Sequence, residues 1–272
     1  MTGAEVSSFH APAKLTLSLR VTGVRGDGYH LLDAEMVSIS LTDTLEFAEG
    51  RGITVVDEVV GGLGAAAVPG GEQNLVSRAL GLLGRAASVR LVKRIPSGAG
   101  LGGGSADAAA VLRWGGRSDV TLAARLGADV PFCVRGGRAR VRGAGEIVEP
   151  LAFEDRDFLL LVPPLAVSTT AVYRRWDERR ERGACDSGDG EAGGTANDLE
   201  AAALEVVPEL ARWRDCLHEA TGVRPRLAGS GSVWFVEGGG ASTGLEGRSF
   251  LMLGRERAAL VPVHTIPAEP VR

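Results

Sequence analysis

The chain has 272 residues, of which 44% are hydrophobic and 24% charged, and its formal net charge is −4. This length holds one large or two modest domains with ample core, and the charge gives no electrostatic footprint for nucleic acid or an anionic membrane. Three widely spaced cysteines (Cys133, Cys185 and Cys216) suggest neither a disulfide framework nor a metal site. No secretory signal or apolar run of membrane-spanning length stands out, so we expect a cytoplasmic enzyme or binding protein.

The N-terminal part is predicted to consist mainly of strands. Residues 11–21 alternate cleanly, so that Leu15 and Leu17 face a core while Lys14 and Thr16 share the opposite face. Alternation and glycine punctuation predict the elements that follow. These are a turn at 23–28, one or two strands over 37–47 around a turn at Thr42–Asp43, a strand at 53–56 in the uninformative segment 50–71, and a helix from Glu72 to about Ala87.

A glycine-rich segment separates a predicted strand at 88–95 from a predicted helix at 106–114 that has Ser105 in the N-cap position. Five glycines lie between Gly98 and Gly104, which leaves backbone N–H groups uncovered and free to approach a ligand. The positive end of the helix dipole stands behind them. We interpret the segment as a loop that binds phosphate.

Three competing interpretations of this loop are weaker. A P-loop requires a lysine directly after a glycine, and none occurs here. The dinucleotide pattern G-x-G-x-x-G is met by Gly98, Gly100 and Gly103, but a second buried strand ending in an acidic residue does not follow. A flexible surface turn does not explain so many glycines between two regular elements. A phosphate loop of a further type is the best interpretation.

The remaining sequence alternates between helical and strand patterns. It predicts a helix at 120–126 ending at Gly127, two short strands over 136–148, a strand at 158–162, a helix from Ser168 to about Arg182, a polar acidic loop at 183–195, a helix over 197–220 restarted by Pro208, a glycine turn and strand at 226–236, and a tail of strand and helix fragments. Strands followed by mixed helices and strands indicate an α+β protein with two domains, residues 1–155 and 156–272.

Four segments together resemble the GHMP kinases, in which three motifs occur in this order and the middle one is the ATP phosphate loop. They are residues 11–14, 96–106, 126–131 and 228–232. Within that superfamily the chain is most similar to the kinases whose small-molecule substrate is diphosphocytidyl methylerythritol. Further segments carry this similarity: Arg25–His30, Lys93–Ala108, Gly127–Phe132, Asn197–Glu200 and Gly229–Gly231.

The resemblance implies an ATP-dependent kinase with an alcohol acceptor, the 2-hydroxyl of the methylerythritol unit, in non-mevalonate isoprenoid biosynthesis. It implies an N-terminal domain like the second domain of ribosomal protein S5, a ferredoxin-like C-terminal domain and an active site in the cleft between them. Asp129 would accept the proton of the attacking hydroxyl or orient it. Lys14 would keep that carboxylate ionised and neutralise charge on the transferring phosphoryl group.

The same resemblance implies the binding residues. ATP would contact the loop, with Asn74 and Lys93 near adenine or ribose and Ser105 near phosphate or magnesium (Mg2+). The loop residues are Pro96, Ser97, Gly98, Ala99, Gly100, Leu101, Gly102, Gly103, Gly104, Ser105 and Ala106. The substrate would contact Tyr29 and His30 through its cytidine, with Tyr173 as a further aromatic. Thr16, Gly229 and Ser230 complete the substrate-binding set.

Each of these residues also has a structural interpretation. By spacing alone Lys14 fits a surface lysine, Asp129 a helix cap or turn, His30 a structural histidine, and Gly229–Ser232 an ordinary turn. Asp107 lies in the first helical turn near the expected phosphates, where a carboxylate pointing inward would repel ATP. We therefore expect Asp107 to be structural and to face away from the ligand.

Thr16 is a departure, because this kinase family usually has asparagine two residues after the motif lysine. A threonine lacks the amide's reach and its paired hydrogen bonds, so a paralogue with a related substrate stays open. A homoserine or mevalonate type of GHMP kinase, an inactive nucleotide-binding protein and a nicotinamide enzyme are also considered. The Tyr29–His30 pair argues against the first, intact Lys14 and Asp129 against the second, and the missing acidic strand end against the third.

Overall fold

Two β-sheets flanked by helices organise the chain, which confirms the predicted α+β class. The computed structural model describes residues 6–60, 71–183 and 197–269. The first sheet contains β1 (Ser7–Val24), β2 (His30–Ala48), β3 (Gly52–Asp57), β4 (Ser88–Lys93), β5 (Arg138–Gly143) and β6 (Ile147–Pro150). The second contains β7 (Asp157–Val162), β8 (Arg226–Leu227), β9 (Trp234–Glu237), β10 (Phe250–Leu253) and β11 (Glu256–His264).

Strand β2 is the spine of the first sheet. It pairs with β1 along nearly all of its 19 residues, with β5 through its first part and with β4 through its last part. All of these pairings are antiparallel, whereas β3 is parallel to β4. In the strand order β3-β4-β2-β5-β6, with β1 also on β2, the end of β4 lies beside Thr44 in the last part of β2.

The predicted turn at Thr42–Asp43 is wrong, because β2 continues straight through both residues. Thr42 pairs with Pro12 and Asp43 with Ala11 in the β1–β2 ladder. Asp43 is fully buried, and Lys93 provides it with a buried cation. An aspartate usually marks a turn, but a carboxylate paired in this way is tolerated inside a strand.

The helices are α1 (Leu75–Leu83), α2 (Gly103–Trp114), α3 (Val120–Ala124), α4 (Val130–Arg135), α5 (Thr169–Glu181), α6 (Glu200–Val206) and α7 (Glu209–Thr221). The break at Pro208 is confirmed, since this proline occupies the N-cap position of α7. Helix α6 begins at Glu200 rather than at Asn197, whose side chain is used elsewhere. As far as residue 269, where the described part ends, the tail forms β10 and β11 and no helix. The predicted acidic loop at 183–195 lies outside the described residues beyond Gly183.

Helix α2 lies at the centre of the N-terminal half, against β1, β2, α1 and α4. The helix is buried on all sides from Ala106 to Leu112, and most of these residues are alanines. Small side chains let the helix backbone approach the sheet closely. The described residues contain no helix that is both long and apolar enough to cross a membrane.

The second sheet is antiparallel throughout, in the order β10-β11-β7-β9-β8. Its central strand β7 is almost entirely buried, as the apolar run 158–162 predicts. The turn between β8 and β9 contains residues 228–232 and points back to the glycine loop of the first half. The backbone N–H of Val233 donates to the carbonyl of Ala99 across this junction, at 3.3 Å. The two sheets therefore meet at the predicted site.

Candidate active site

The glycine loop connects the end of β4 to the start of α2. Helix α2 begins at Gly103 with Gly102 as its N-cap, so the prediction of Ser105 as the N-cap is wrong. Gly102 has a φ of 69°, and its carbonyl accepts the first intrahelical hydrogen bond from Ala106 at 2.9 Å. The N–H groups of Gly103, Gly104 and Ser105 precede that bond. They form the anion-binding end of the helix.

Glycine is required by the geometry of this loop at two positions. A Cβ on Gly100 (φ +75°) would lie 1.9 Å from the carbonyl oxygen of Ala228, and one on Gly102 would lie 2.8 Å from Cγ of Lys14. The loop is thus wedged between the 228–232 turn and the catalytic lysine candidate.

Not every predicted loop residue offers its side chain to a ligand. Ala99, Leu101 and Ala106 are buried in the core, so they can contact a nucleotide only through their backbones. Ser97, Gly98 and Gly104 are exposed, while Pro96 and Ser105 are half-buried. The loop therefore presents mainly backbone groups, as the sequence predicts for a phosphate cradle.

Lys14 and Asp129 lie together beside this loop. The ammonium of Lys14 lies 3.6 Å from Oδ2 of Asp129 and donates to Oγ1 of Thr16 at 3.0 Å. Its backbone N–H donates to the carbonyl of Leu101 at 3.0 Å, which fixes β1 to the loop. The lysine side chain is 6% exposed, so it is not the surface lysine that spacing alone suggests.

Asp129 lies at the start of α4, but its side chain does not stabilise the helix end. It occupies the N-cap position of α4, yet its side chain makes no capping hydrogen bond. Its side chain is 33% exposed, far more than that of Lys14. The Asp129 carboxylate is therefore accessible to a ligand on its exposed side, while the ammonium of Lys14 contacts its other side.

The turn at 228–232 completes this corner. A Cβ on Gly229 would lie 3.3 Å from Nζ of Lys14, so the turn passes directly over the ammonium. The side-chain amide of Asn197 donates to the carbonyls of Leu227 and Gly229 at 3.0 and 2.7 Å, and the hydroxyls of Ser230 and Thr169 lie 2.9 Å apart. Asn197 and Thr169 are positioning residues that the sequence analysis did not single out. The motif Asn197–Glu200 was the available signal for the former.

Beneath the loop lies a buried ion triad. Nζ of Lys93 donates to Asp43 and, at 2.7 Å, to Oδ2 of Asp107, and all three residues are at most 3% exposed. Asp43 also accepts from the backbone N–H groups of Arg94 and Ile95, the latter at 2.8 Å. Asp107 is thus structural, as predicted. The ammonium of Lys93 is occupied within the protein rather than offered to adenine or ribose.

The pKa values of Asp107 and Lys93 are both raised within the triad. Burial raises the pKa of the Asp107 carboxyl to about 7, although Lys93 opposes the shift. Burial lowers the pKa of Lys93, but the two carboxylates outweigh it, so the net direction is upward. Oδ1 of Asp107 is buried without a hydrogen-bond partner. Two carboxylates around one ammonium favour retention of a proton by Asp107.

Asn74 is likewise engaged. It is the N-cap of α1, and its side-chain oxygen accepts from the backbone N–H of Val76 at 2.8 Å. The residue is buried, so its amide does not extend into open space. The N-cap explains the asparagine locally, without a ligand.

The predicted base-binding residues divide into two groups. His30 lies against Tyr173, with ring centroids 4.5 Å apart, and Nε2 of His30 lies 2.8 Å from Oδ1 of Asp177. Burial raises the pKa of the Tyr173 hydroxyl, and the nearby charge of Asp129 raises it further. Tyr29, in contrast, is 59% exposed beneath the guanidinium of Arg25. The structure packs the rings of His30 and Tyr173 together, whereas the ring of Tyr29 is exposed and contacts Arg25.

Cys133 follows Asp129 on α4 but does not behave as a nucleophile. Burial raises the pKa of its thiol to about 12, and the charge of Asp129 adds to the shift. A thiol with this pKa stays protonated at neutral pH.

Within the part of the chain that the structure describes, no three His, Cys, Asp or Glu residues are grouped to hold a metal ion.

Comparisons with known proteins identify relatives of this arrangement. The model of the GHMP kinases N terminal domain matches residues 74–137. The 4-diphosphocytidyl-2-C-methyl-D-erythritol kinase of Paracoccus denitrificans is 41% identical over 236 residues, which cover 83% of this chain and 84% of the relative. The protein of the same name from Paramagnetospirillum magneticum is 37% identical, with coverage of 84% and 87%.

Solved structures agree with this. A crystal structure of 4-(cytidine 5'-diphospho)-2C-methyl-D-erythritol kinase is 35% identical, has a TM-score of 0.61 and is matched over 89% of its length and 84% of this chain. The Methanococcus jannaschii mevalonate kinase is only 14% identical with a TM-score of 0.55, over 97% of this chain and 99% of its own. The latter similarity shows a shared fold alone.

The tight approach of Gly100 to Ala228 predicts the effect of one methyl group. We expect Gly100→Ala to lower the free energy of unfolding by about 3 kcal/mol, because the left-handed φ and the contact with a backbone oxygen both oppose a Cβ. Urea unfolding at equilibrium measures this. Gly104→Ala is the matched control, since its Cβ would meet nothing closer than 3.5 Å. Equal stability of the two variants would contradict the wedged-loop geometry.

The buried triad predicts a pH-dependent stability. A carboxyl whose pKa is raised on folding stabilises the protein below the unfolded pKa near 4, and this contribution is lost as pH rises to the folded pKa of about 7. Asp107→Asn removes that loss, so the stability difference between the variant and the wild type should move in favour of the variant as the pH rises from 4 to 7, by at most about 1.4 kcal/mol per pH unit.

Chemical denaturation across that pH range checks the prediction, with Asp215→Asn as the control at an exposed carboxylate. The difference should level off above about pH 8. A difference between Asp107→Asn and wild type that is constant with pH would show that Asp107 ionises normally.

Proposed function

Because this chain belongs to the 4-diphosphocytidyl-2-C-methyl-D-erythritol kinase family within the GHMP kinases, we propose that it transfers the terminal phosphate of ATP to the 2-hydroxyl of that diphosphocytidyl substrate. This reaction belongs to non-mevalonate isoprenoid biosynthesis. One observation carries the proposal: Lys14 and Asp129 lie 3.6 Å apart beside the open N-terminus of α2. Phosphoryl transfer to an alcohol requires these two charges next to a phosphate cradle.

Asp129 accepts the hydroxyl proton or orients the hydroxyl toward the phosphate. Its carboxylate is partly exposed and makes no capping hydrogen bond, so its second oxygen is available to the hydroxyl group of the substrate. Lys14 lies beside the carboxylate and neutralises charge on the transferred group. Because the transition state is loose, such positioning and charge stabilisation supply most of the catalysis.

The start of α2 holds the phosphate chain of ATP. The N–H groups of Gly103, Gly104 and Ser105 provide donors at the positive end of the helix dipole. Since the side chains of Asn74 and Lys93 are engaged within the protein, we expect any contacts that they make with adenine or ribose to come from backbone groups.

Mg2+ bound with ATP neutralises phosphate charge, and it requires only one or two protein oxygens because phosphate and water supply the rest. The donor set fits this requirement. Ser105 offers one such oxygen, a half-buried hydroxyl in the first turn of α2. Asp107 is engaged by Lys93 and is not counted in this set.

The acceptor substrate lies on the other side of Lys14. His30 and Tyr173 form the wall for the cytosine, while the exposed ring of Tyr29 is available to stack on it. Gly229 and Ser230 form the floor near the reacting hydroxyl. The hydroxyl of Thr16 accepts a hydrogen bond from the Lys14 ammonium. We propose that it replaces in this way the side-chain amide of the asparagine that the family usually has at this position.

Two further expectations stay predictions of the same proposal. The division into domains 1–155 and 156–272 is supported by the break between β6, which ends at Pro150, and β7, which begins at Asp157. A cytoplasmic location fits an enzyme that uses ATP and a nucleotide-linked substrate.

A substrate panel tests the proposed function. Purified protein is incubated with ATP and Mg2+, and ADP release is measured with the diphosphocytidyl substrate, homoserine and mevalonate. We expect turnover with the first alone, with mass spectrometry showing one added phosphate on the methylerythritol unit. Turnover with homoserine or mevalonate instead would reject the proposed substrate while keeping the kinase chemistry.

Removal of the Asp129 charge tests the mechanism. Asp129→Asn should reduce kcat by about a thousandfold, since a positioned base contributes 10²–10⁴-fold, with little change in ATP binding. Steady-state kinetics and calorimetry with ATP measure the two effects. Asp155→Asn is the control, because Asp155 is exposed in the segment that connects β6 to β7. Near-normal kcat for Asp129→Asn would show that another group receives the proton.

A further inference from the structure

His30 and Asp177 form a polar pair between the two halves of the chain. His30 is the first residue of β2, and Asp177 lies on α5, 147 residues later. Nε2 of His30 lies 2.8 Å from Oδ1 of Asp177, and the side chains are 14% and 41% exposed. This contact joins two distant elements at the proposed base-binding wall, so we ask how it affects binding of the base.

The same face of α5 encloses the imidazole with two aromatic rings. Tyr173 stands one helical turn before Asp177, with its ring centroid 4.5 Å from that of His30, and Trp176 meets the imidazole edge-on at 5.6 Å. Residues spaced by three and four share a helix face. The ring of His30 is therefore held on several sides and has little freedom to flip.

The carboxylate decides which ring nitrogen carries the proton. An ionised aspartate only accepts hydrogen bonds, so Nε2 must be the donor in this pair. In the neutral imidazole, Nδ1 then has a lone pair and acts as an acceptor. It hydrogen-bonds to no residue that the structure describes, which leaves it available to a ligand.

We propose that Asp177 is a positioning residue that fixes the proton of His30 on Nε2, so that Nδ1 accepts a hydrogen bond from the exocyclic amine of cytosine. This inference rests on the proposed function, because it concerns the base of that substrate. Uracil has a carbonyl oxygen where cytosine has the amine, and two acceptors would then face each other. The pair therefore selects a cytidine over a uridine diphosphate substrate.

Asp177→Asn tests the pair, because an amide can present either its oxygen or its NH₂ to Nε2 and no longer fixes the proton. We expect the ratio of kcat/KM for the diphosphocytidyl substrate to that for its diphosphouridyl analogue to fall about tenfold, the value of one hydrogen bond. The change should appear in KM for the cytidine substrate, with kcat and KM for ATP nearly unchanged. Asp177→Glu should restore part of the preference.

Glu178→Gln is the matched control, because it neutralises the next carboxylate on α5, which pairs with Arg175 rather than with His30. Its base preference should equal that of the wild type. Thermal unfolding of each variant shows whether the fold is retained. An unchanged preference in Asp177→Asn, or an equal loss for both bases, would overturn the inference and leave Asp177 as a structural tie.

The outcomes also separate this inference from the proposed function. Wild-type protein that phosphorylates the diphosphocytidyl substrate, together with an Asp177→Asn variant of unchanged preference, removes the inference alone. Wild-type protein that phosphorylates neither pyrimidine substrate removes the proposed function, and the inference with it.

Discussion

The position of the phosphate loop depends on one buried cation. Lys93 closes β4 and lies between Asp43 of β2 and Asp107 of α2, with all three side chains withdrawn from water. Burial of an unpaired charge is prohibitive, and removal of one partner from such a set typically costs about 3–5 kcal/mol. The strand, the loop and the helix are therefore tied to each other by charge as well as by packing. Because Asp43 also accepts from the backbone at Arg94 and Ile95, the same carboxylate directs the chain into the loop.

This constraint determines what the loop can offer. With both of its ends held, the segment from Gly98 to Gly102 must turn three times through left-handed glycines, and its backbone must pass against Ala228 on one side and Lys14 on the other. Lys14 is therefore placed by the loop as much as by its own strand, through the bond from its N–H to Leu101. The donors at the start of α2 and the ammonium that we propose to neutralise the phosphoryl group are thus held together by the same loop. Preorganisation of this kind lets charges act without reorganising during the reaction.

Local sequence rules predicted the repeating elements and the chemistry-bearing motifs, because alternation and glycine spacing are local properties. They placed β3, the break at Pro208 and the buried run of β7 correctly. They failed where the conformation or role of a residue is determined by a partner that is distant in the sequence. Asp43 suggests a turn until Lys93, fifty residues away, is known to lie beside it. Ser105 suggests a cap until Gly102 is seen to take that position. Asp177 and Thr169 carried no local signal, since their partners His30 and Ser230 come from distant parts of the chain.

The two ends of the site are built differently, and this bears on the meaning of Thr16. The reacting end is assembled from β1, the loop and α4 around a buried lysine, and there Thr16 only needs to accept one hydrogen bond from Lys14. A hydroxyl is sufficient for that task, so the missing amide leaves the phosphoryl-transfer geometry intact. The base end is formed where β2 meets α5, through side chains that are half-buried or exposed. In the proposed function, recognition of the substrate base therefore depends on the fit between two elements from opposite halves of the chain. A change of substrate within this fold is more readily achieved on α5 than beside Lys14, because α5 can vary without disturbing the buried charges.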